Sequence, residues 1–345
     1  MATRLRCRWN ASADAGVQPL AVTVSAQLTE RSFVIEPDKW RTRADGPRWL
    51  YAQPGRLRAV WRLAAFGLAL LVLQPITESI VAPLFGVLSR TIGEPVPAYP
   101  WITLVSVLAS LTLTLRVIDE APWRAVGLGR SGWRPRVLAV GFLMGTTTIV
   151  GTMLLLWATG SAHIEPFALP FEGAGSTTNA WMATALRITL LLAPAALWEE
   201  LVFRGYLWTV AEDAGGVRVA RWATAVAFGA VHFLNPGAGV LSTVLVTLAG
   251  FCLGAVRERT GSLAAAWLAH LAWNWIMAVV LHVPVSGTAF ATPAYRTVVS
   301  GPAWWTGGSW GPEGGAAALL VLGSALLLST GPTALRPFRM GSSSR

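Results

Sequence analysis

The sequence predicts an all-α fold, a polytopic transmembrane helical bundle of about eight spans. Three observations carry that expectation. Hydrophobic residues make up 54% of the 345 positions and charged residues only 13%, far from the balance of a soluble domain. The mean hydropathy is +0.53, and apolar runs of membrane-spanning length recur along the chain. Many of the 18 tryptophans (Trp61, Trp101, Trp133, Trp157, Trp181, Trp208 and Trp222 among them) stand near the ends of those runs, where an aromatic belt belongs.

Residues 1–57 read as a cytoplasmic tail, largely disordered because little apolar surface offsets the entropy of ordering it. One alternating patch, Leu20–Val24, has the pattern of a short hairpin strand, and Trp49-Leu50-Tyr51 ahead of Pro54 reads as an interfacial anchor. Residues 58–335 form the membrane domain, with spans expected at 63–88, 99–118, 137–158, 181–203, 220–235, 239–256, 263–282 and 315–331. The first holds Gln74, Pro75 and Glu78, so a kink and a protein-facing surface are expected there. The fifth is short enough to be tilted or re-entrant. A loop at 283–314, rich in Pro, Gly, Ser and Trp, is expected to rest Trp304, Trp305 and Trp310 on the outer membrane interface, and 336–345 is a C-terminal tail.

The formal charge of +10 invites a nucleic-acid reading, and its distribution argues against one. Eleven basic residues precede position 63, and most of the others fall in alternate loops. With the N-terminus inside, inner segments carry 24 basic residues and outer loops two, Arg90 and Arg296. That asymmetry is the positive-inside signature of a cell-membrane protein with both termini cytoplasmic. Cys7 and Cys252 cannot staple the fold or supply a cysteine-rich metal site. The first 20 residues lack the apolar core of a cleavable signal peptide, and the Ser-Ser-Ser-Arg end carries no prenylation box.

Three polar clusters interrupt the apolar segments: Glu199-Glu200-Leu-Val-Phe-Arg204, Phe228-Gly-Ala-Val-His232 and His270-Leu-Ala-Trp-Asn274. Ionisable groups at bilayer depth are costly and therefore usually functional. Glu200 and Arg204 have the favourable i,i+4 order, so Glu200 reads first as the partner of Arg204. Glu199, rotated by about 100° on the helix, cannot share that role and suits a general base in a dry pocket. Phe228 and His232 share one helical face a turn apart, as do His270 and Asn274. Glu78, His163 and His282 read as structural or loop residues.

Two mechanisms fit these residues. In one, Glu199 and His232 activate a water that attacks a carbonyl, while His270 and Asn274 donate to the developing oxyanion. In the other, His232, His270 and Glu199 hold a divalent metal such as zinc. No His-Glu-x-x-His pair is present and Asn is a poor zinc ligand, which favours the metal-free form. The cofactor is thus none or a divalent ion.

The three clusters resemble the signature of the CAAX proteases and bacteriocin-processing enzymes, the CPBP or Abi family of intramembrane proteases: Glu-Glu-x-x-x-Arg, Phe-x-x-x-His and His-x-x-x-Asn, in that order. Gly205 and Trp123-Arg124-x-x-Gly127-Leu128 also look like that family, and the similarity covers roughly 120–282. The resemblance implies a helical membrane fold with a cavity open toward the cytoplasm. It implies Glu199 as base with His232, His270 with Asn274 at the oxyanion, and Glu200, Arg204 and Phe228 in support. Eukaryotic members trim three residues after a prenylated cysteine. Peptide maturation, bacteriocin self-immunity and processing of a membrane regulator are the bacterial alternatives.

The partners so implied are membrane lipids and a peptide or protein substrate at the inner leaflet, with no nucleic acid. Two other readings compete with the protease. One is a non-enzymatic membrane scaffold or immunity protein of the same family, opposed by the completeness of the motif set. The other is a proton-coupled transporter, opposed by the lack of an internal repeat.

Overall fold

A computed structural model of the chain describes residues 49–53, 56–93, 95–166, 177–290 and 295–330, all within the unit Arg43–Arg345. The expected hairpin at Leu20–Val24 lies outside them. The described chain opens with a small antiparallel ribbon of β1 (Tyr51–Gln53) and β2 (Arg56–Leu57), which leads into α1 (Ala59–Ile92). There follow α2 (Tyr99–Leu113), α3 (Pro135–Ala158), β3 (Ala162–Pro166), α4 (Thr177–Glu200), α5 (Trp208–His232), α6 (Val240–Thr260), α7 (Leu263–Trp275), β4 (Tyr295–Val299) and α8 (Ala316–Thr330). β3 and β4 pair antiparallel, Ala162 with Val299 through Pro166 with Tyr295, and tie two distant loops together.

Among the described residues, six helical stretches are long and apolar enough to cross a membrane, so the protein is a multi-pass helical bundle. With the stretch Thr178–His232 holding two of them, they cover the first seven of the eight expected spans. The expected fourth and fifth spans fall on the two helical arms of the stretch Thr178–His232. Its two parts meet at Gly216, whose φ of 80° and ψ of 176° lie outside the helical region and suit a residue without Cβ. The expected eighth span coincides with α8, helical over Ala316–Thr330 among the described residues.

α1 departs from expectation in the surface it turns outward. It runs unbroken for 34 residues through Pro75 and Pro83 and ends on Gly93 in the left-handed region. Its flank faces outward: Leu68, Leu71, Val72, Ile76, Ile80 and Leu84 are exposed, and so is Glu78. Only Gln74 turns inward as expected, donating to Thr103 Oγ1 at 3.3 Å. The physical reason is position: α1 is at the edge of the bundle and packs mainly on α2. One polar residue therefore does not mark a protein-facing side.

The helices that carry the polar clusters approach closely because small residues face one another. A Cβ on Gly141 or Gly145 of α3 would collide with the carbonyls of Ala265 and Ala269 on α7. This four-residue spacing is the way membrane helices reach backbone contact. Ser262 caps α7 by accepting from the Ala265 amide at 3.0 Å and donates to the Gly132 carbonyl at 2.8 Å. The amide of Leu263 donates to the Gly127 carbonyl at 3.0 Å, so the Trp123–Leu128 stretch anchors the start of α7.

Three expected surface residues lie in the interior. Trp208 is 1% exposed and donates to Glu212, and Trp310 is 3% exposed within the cluster of Phe203, Phe228 and Ala269. The loop 283–314 thus folds back onto the bundle. Glu313 holds it there, accepting from Trp273 Nε1 of α7 at 2.9 Å and from the Ser286 amide and hydroxyl at 2.7 Å. Arg257, counted as a loop charge, is buried and donates through Nε to the Arg204 carbonyl at 3.1 Å.

Candidate active site

The last turn of α4 delivers Glu199 and Glu200 to the junction of α4, α5 and α7, and the chain continues through a widened π turn, Leu201–Leu207. Such turns shift the register of a helix and recur at functional sites. Here Arg204 is completely buried, and its Nη1 donates to Glu200 Oε1 at 3.1 Å. Arg204 Nη2 donates to the Gly250 carbonyl of α6 at 3.1 Å, and its guanidinium lies 4.2 Å from the centre of the Phe228 ring. A buried guanidinium thus has a carboxylate, a carbonyl and an aromatic face to replace its water.

Glu200 has a second partner that its sequence spacing did not announce. Its Oε1 also lies 3.0 Å from Nδ1 of His270, 70 positions away on α7. The carboxylate accepts the Nδ1–H and so turns Nε2 of His270 toward Glu199. His232 is oriented in the same manner by its own helix, with Nδ1 donating to the Phe228 carbonyl at 2.7 Å. Phe228 stands between the two imidazoles, its ring centre 4.4 Å from that of His232 and 5.7 Å from that of His270. An edge-on contact with Phe203 at 5.3 Å fixes it in turn.

The two Nε2 atoms face one carboxylate oxygen. Glu199 Oε2 lies 3.8 Å from Nε2 of His232 and 4.0 Å from Nε2 of His270. These gaps are too long for direct hydrogen bonds and suit a water bound between the groups. That oxygen is buried and has no hydrogen-bond partner among the described residues. An orphaned buried carboxylate oxygen is costly unless a ligand or water completes it. Asn274 follows His270 by one turn on the same face of α7 and is half-buried.

The spacing of these groups is wider than that of ligands closed on a zinc ion. Tetrahedral zinc with bonds of about 2.0 Å sets its donors roughly 3.3 Å apart. The Glu199 oxygen is 3.8 and 4.0 Å from the two imidazole nitrogens. Among the described residues, no group of three His, Cys, Asp or Glu side chains has metal-site spacing.

The structure thus brings Glu199, Glu200, Arg204, Phe228, His232 and His270 together. Beyond the sequence expectation it adds the Glu200–His270 link and the support of Arg257 and Gly250. Glu78 and His163 are far from this role: the first is on the outer face of α1, and the second pairs with Glu165 on β3. His282 is buried with Nδ1 against the Ala278 carbonyl and its ring on Tyr295, and burial lowers its pKa.

Residues 180–276 match the family model described as Type II CAAX prenyl endopeptidase Rce1-like. That segment contains all three polar clusters. No curated protein and no solved structure matches the chain.

Proposed function

We propose, from the three polar clusters and the match of residues 180–276 to the Type II CAAX prenyl endopeptidase Rce1-like family model, that this membrane protein is an intramembrane endopeptidase. It hydrolyses a peptide bond of a membrane-associated protein or peptide at the inner leaflet, with both chain ends on the cytoplasmic side. The observation that carries the reading is the orphaned Glu199 oxygen facing Nε2 of His232 and His270.

The hydrogen bonds of the imidazoles supply the mechanism. With its Nδ1–H donated to the Phe228 carbonyl, neutral His232 presents a lone pair at Nε2. A water between Glu199 and His232 gives one proton to each acceptor and turns a lone pair toward the substrate. Glu199 takes the proton as that water attacks the scissile carbonyl carbon. The carbonyl π pair moves onto oxygen, giving a tetrahedral oxyanion.

Protonated His270 has donors on both nitrogens: Nδ1 stays on Glu200, and Nε2 is free to donate to the oxyanion together with the Asn274 amide. Collapse of the intermediate breaks the C–N bond, and protonated Glu199 returns its proton to the leaving amine. The chain's own groups complete the cycle, so we propose a metal-free hydrolysis. Arg204, with its charge beneath the Phe228 ring, holds Glu200 in place.

The test is a comparison of peptide termini in membranes from cells making the wild type or Glu199→Ala, with both proteins inserted and equally stable. A terminus present only with the wild type supports the protease and identifies its substrate. Identical termini would instead favour a non-enzymatic scaffold.

A further inference from the structure

An apolar cavity adjoins the proposed catalytic residues, and the buried thiol of Cys252, which the mechanism leaves unused, forms part of its wall. The cavity measures about 50 Å³. Its walls include Thr148 of α3, Phe228 of α5, Ala249 and Cys252 of α6, and His270 and Trp273 of α7. Two of these belong to the site already described. His270 turns Nε2 toward Glu199, and the Phe228 ring stands between the two imidazoles. A group seated in the cavity is therefore held against the side chains proposed to act on the scissile carbonyl.

The polar atoms of these side chains are already committed. Thr148 Oγ1 donates to the Met144 carbonyl at 2.7 Å, and Cys252 Sγ donates to the Leu322 carbonyl at 3.6 Å. Trp273 Nε1 donates to Glu313 at 2.9 Å, and the two His270 nitrogens are turned to Glu200 and Glu199. A hydroxyl, amide or charge entering here would lose its hydration and find no side-chain partner. The occupant is therefore apolar. With about 50 Å³, against roughly 150 Å³ for an apolar cavity that takes benzene, the space holds about one to three carbon atoms. The Glu313 bond also fixes the indole of Trp273, so this size is set before a substrate arrives.

We propose that this cavity is a specificity pocket for a small aliphatic side chain, of alanine or valine size, on a substrate residue flanking the scissile bond. The inference rests on the protease reading and adds a size limit to it. Leucine carries one carbon more than valine and enters only by displacing a wall. Phenylalanine is excluded. A methylene too many or too few in such a pocket changes kcat/KM by about 10–200-fold.

The test uses the full-length protein in lipid nanodiscs and the peptide whose new terminus depends on the wild type. Each residue flanking the cleaved bond is replaced in turn by alanine, valine, leucine or phenylalanine. At one of these positions the wild type should favour valine over leucine by at least about tenfold in kcat/KM, with phenylalanine cleaved least. Cys252→Ala removes a sulfur from the wall and should lower the valine-to-leucine ratio by about tenfold. Ala249→Val fills part of the space and should move the preference to alanine. A general loss of packing would lower all rates and leave that order as it was. Equal kcat/KM for valine and leucine at every flanking position would overturn the pocket and leave the protease reading intact. So would a size order that both variants leave unchanged. No cleavage of any peptide by the folded wild type would overturn the protease reading and this inference together.

Discussion

Glu200 Oε1 and His270 Nδ1 stand 3.0 Å apart, joined across two helices and 70 positions of sequence. The same oxygen accepts from Arg204. One buried carboxylate therefore fixes both the charge that backs the site and the ring that faces Glu199. Glu200→Ala should lower stability and activity together, since it leaves Arg204 buried without its counter-ion at a cost of about 3–5 kcal/mol. Glu200→Gln keeps an acceptor for His270 and loses only the charge, so its unfolding midpoint should fall less. Chemical or thermal unfolding of both variants, alongside peptide cleavage, checks the order.

His232→Ala should abolish cleavage with little change in unfolding, because His232 bonds only its own helix and the space before Glu199. Its ring does contact Phe228, so a small loss of stability is expected, on the order of 1 kcal/mol. Cleavage by a folded His232→Ala protein near the wild-type rate would remove it from the mechanism.

Packing should matter as much as chemistry. A side chain at Gly145 must push α7 away from α3, because its Cβ would meet the Ala269 backbone, one residue before His270. Gly145→Val should therefore destabilise the bundle by about 1–3 kcal/mol or more and reduce cleavage beyond what the lost stability explains. Gly151→Ala, where a Cβ meets only the Val321 side chain, is the matched control and should be mild.

The proposed metal-free hydrolysis predicts indifference to chelators. Incubation with 1,10-phenanthroline or EDTA should leave cleavage by the purified protein within about twofold of the untreated rate. Loss of activity that added zinc restores would establish the alternative, with His232, His270 and Glu199 as ligands.

The polar clusters were legible in the sequence because charged and amide groups stand out against apolar runs, and i,i+4 spacing placed Glu200 beside Arg204 correctly. The spans were legible for the same reason, as apolar length alone marks them. What escaped depends on which surfaces meet. Glu200–His270 and Arg257–Arg204 are contacts between helices, and no local pattern encodes them. Arg62 counted as tail charge, yet it is buried against Asp119 and Asp213. Glu78 looked like a protein-facing group and lies on the exposed flank of α1.

The most direct test of the account is cleavage by Glu199→Gln, using the peptide whose new terminus depends on the wild-type protein. Glutamine preserves size and removes the base. The account predicts a rate at least about 10²–10³-fold lower, with an unfolding midpoint close to the wild type, since Glu199 Oε2 has no hydrogen bond to lose among the described residues. A folded Glu199→Gln protein that cleaves the peptide at the wild-type rate would contradict it.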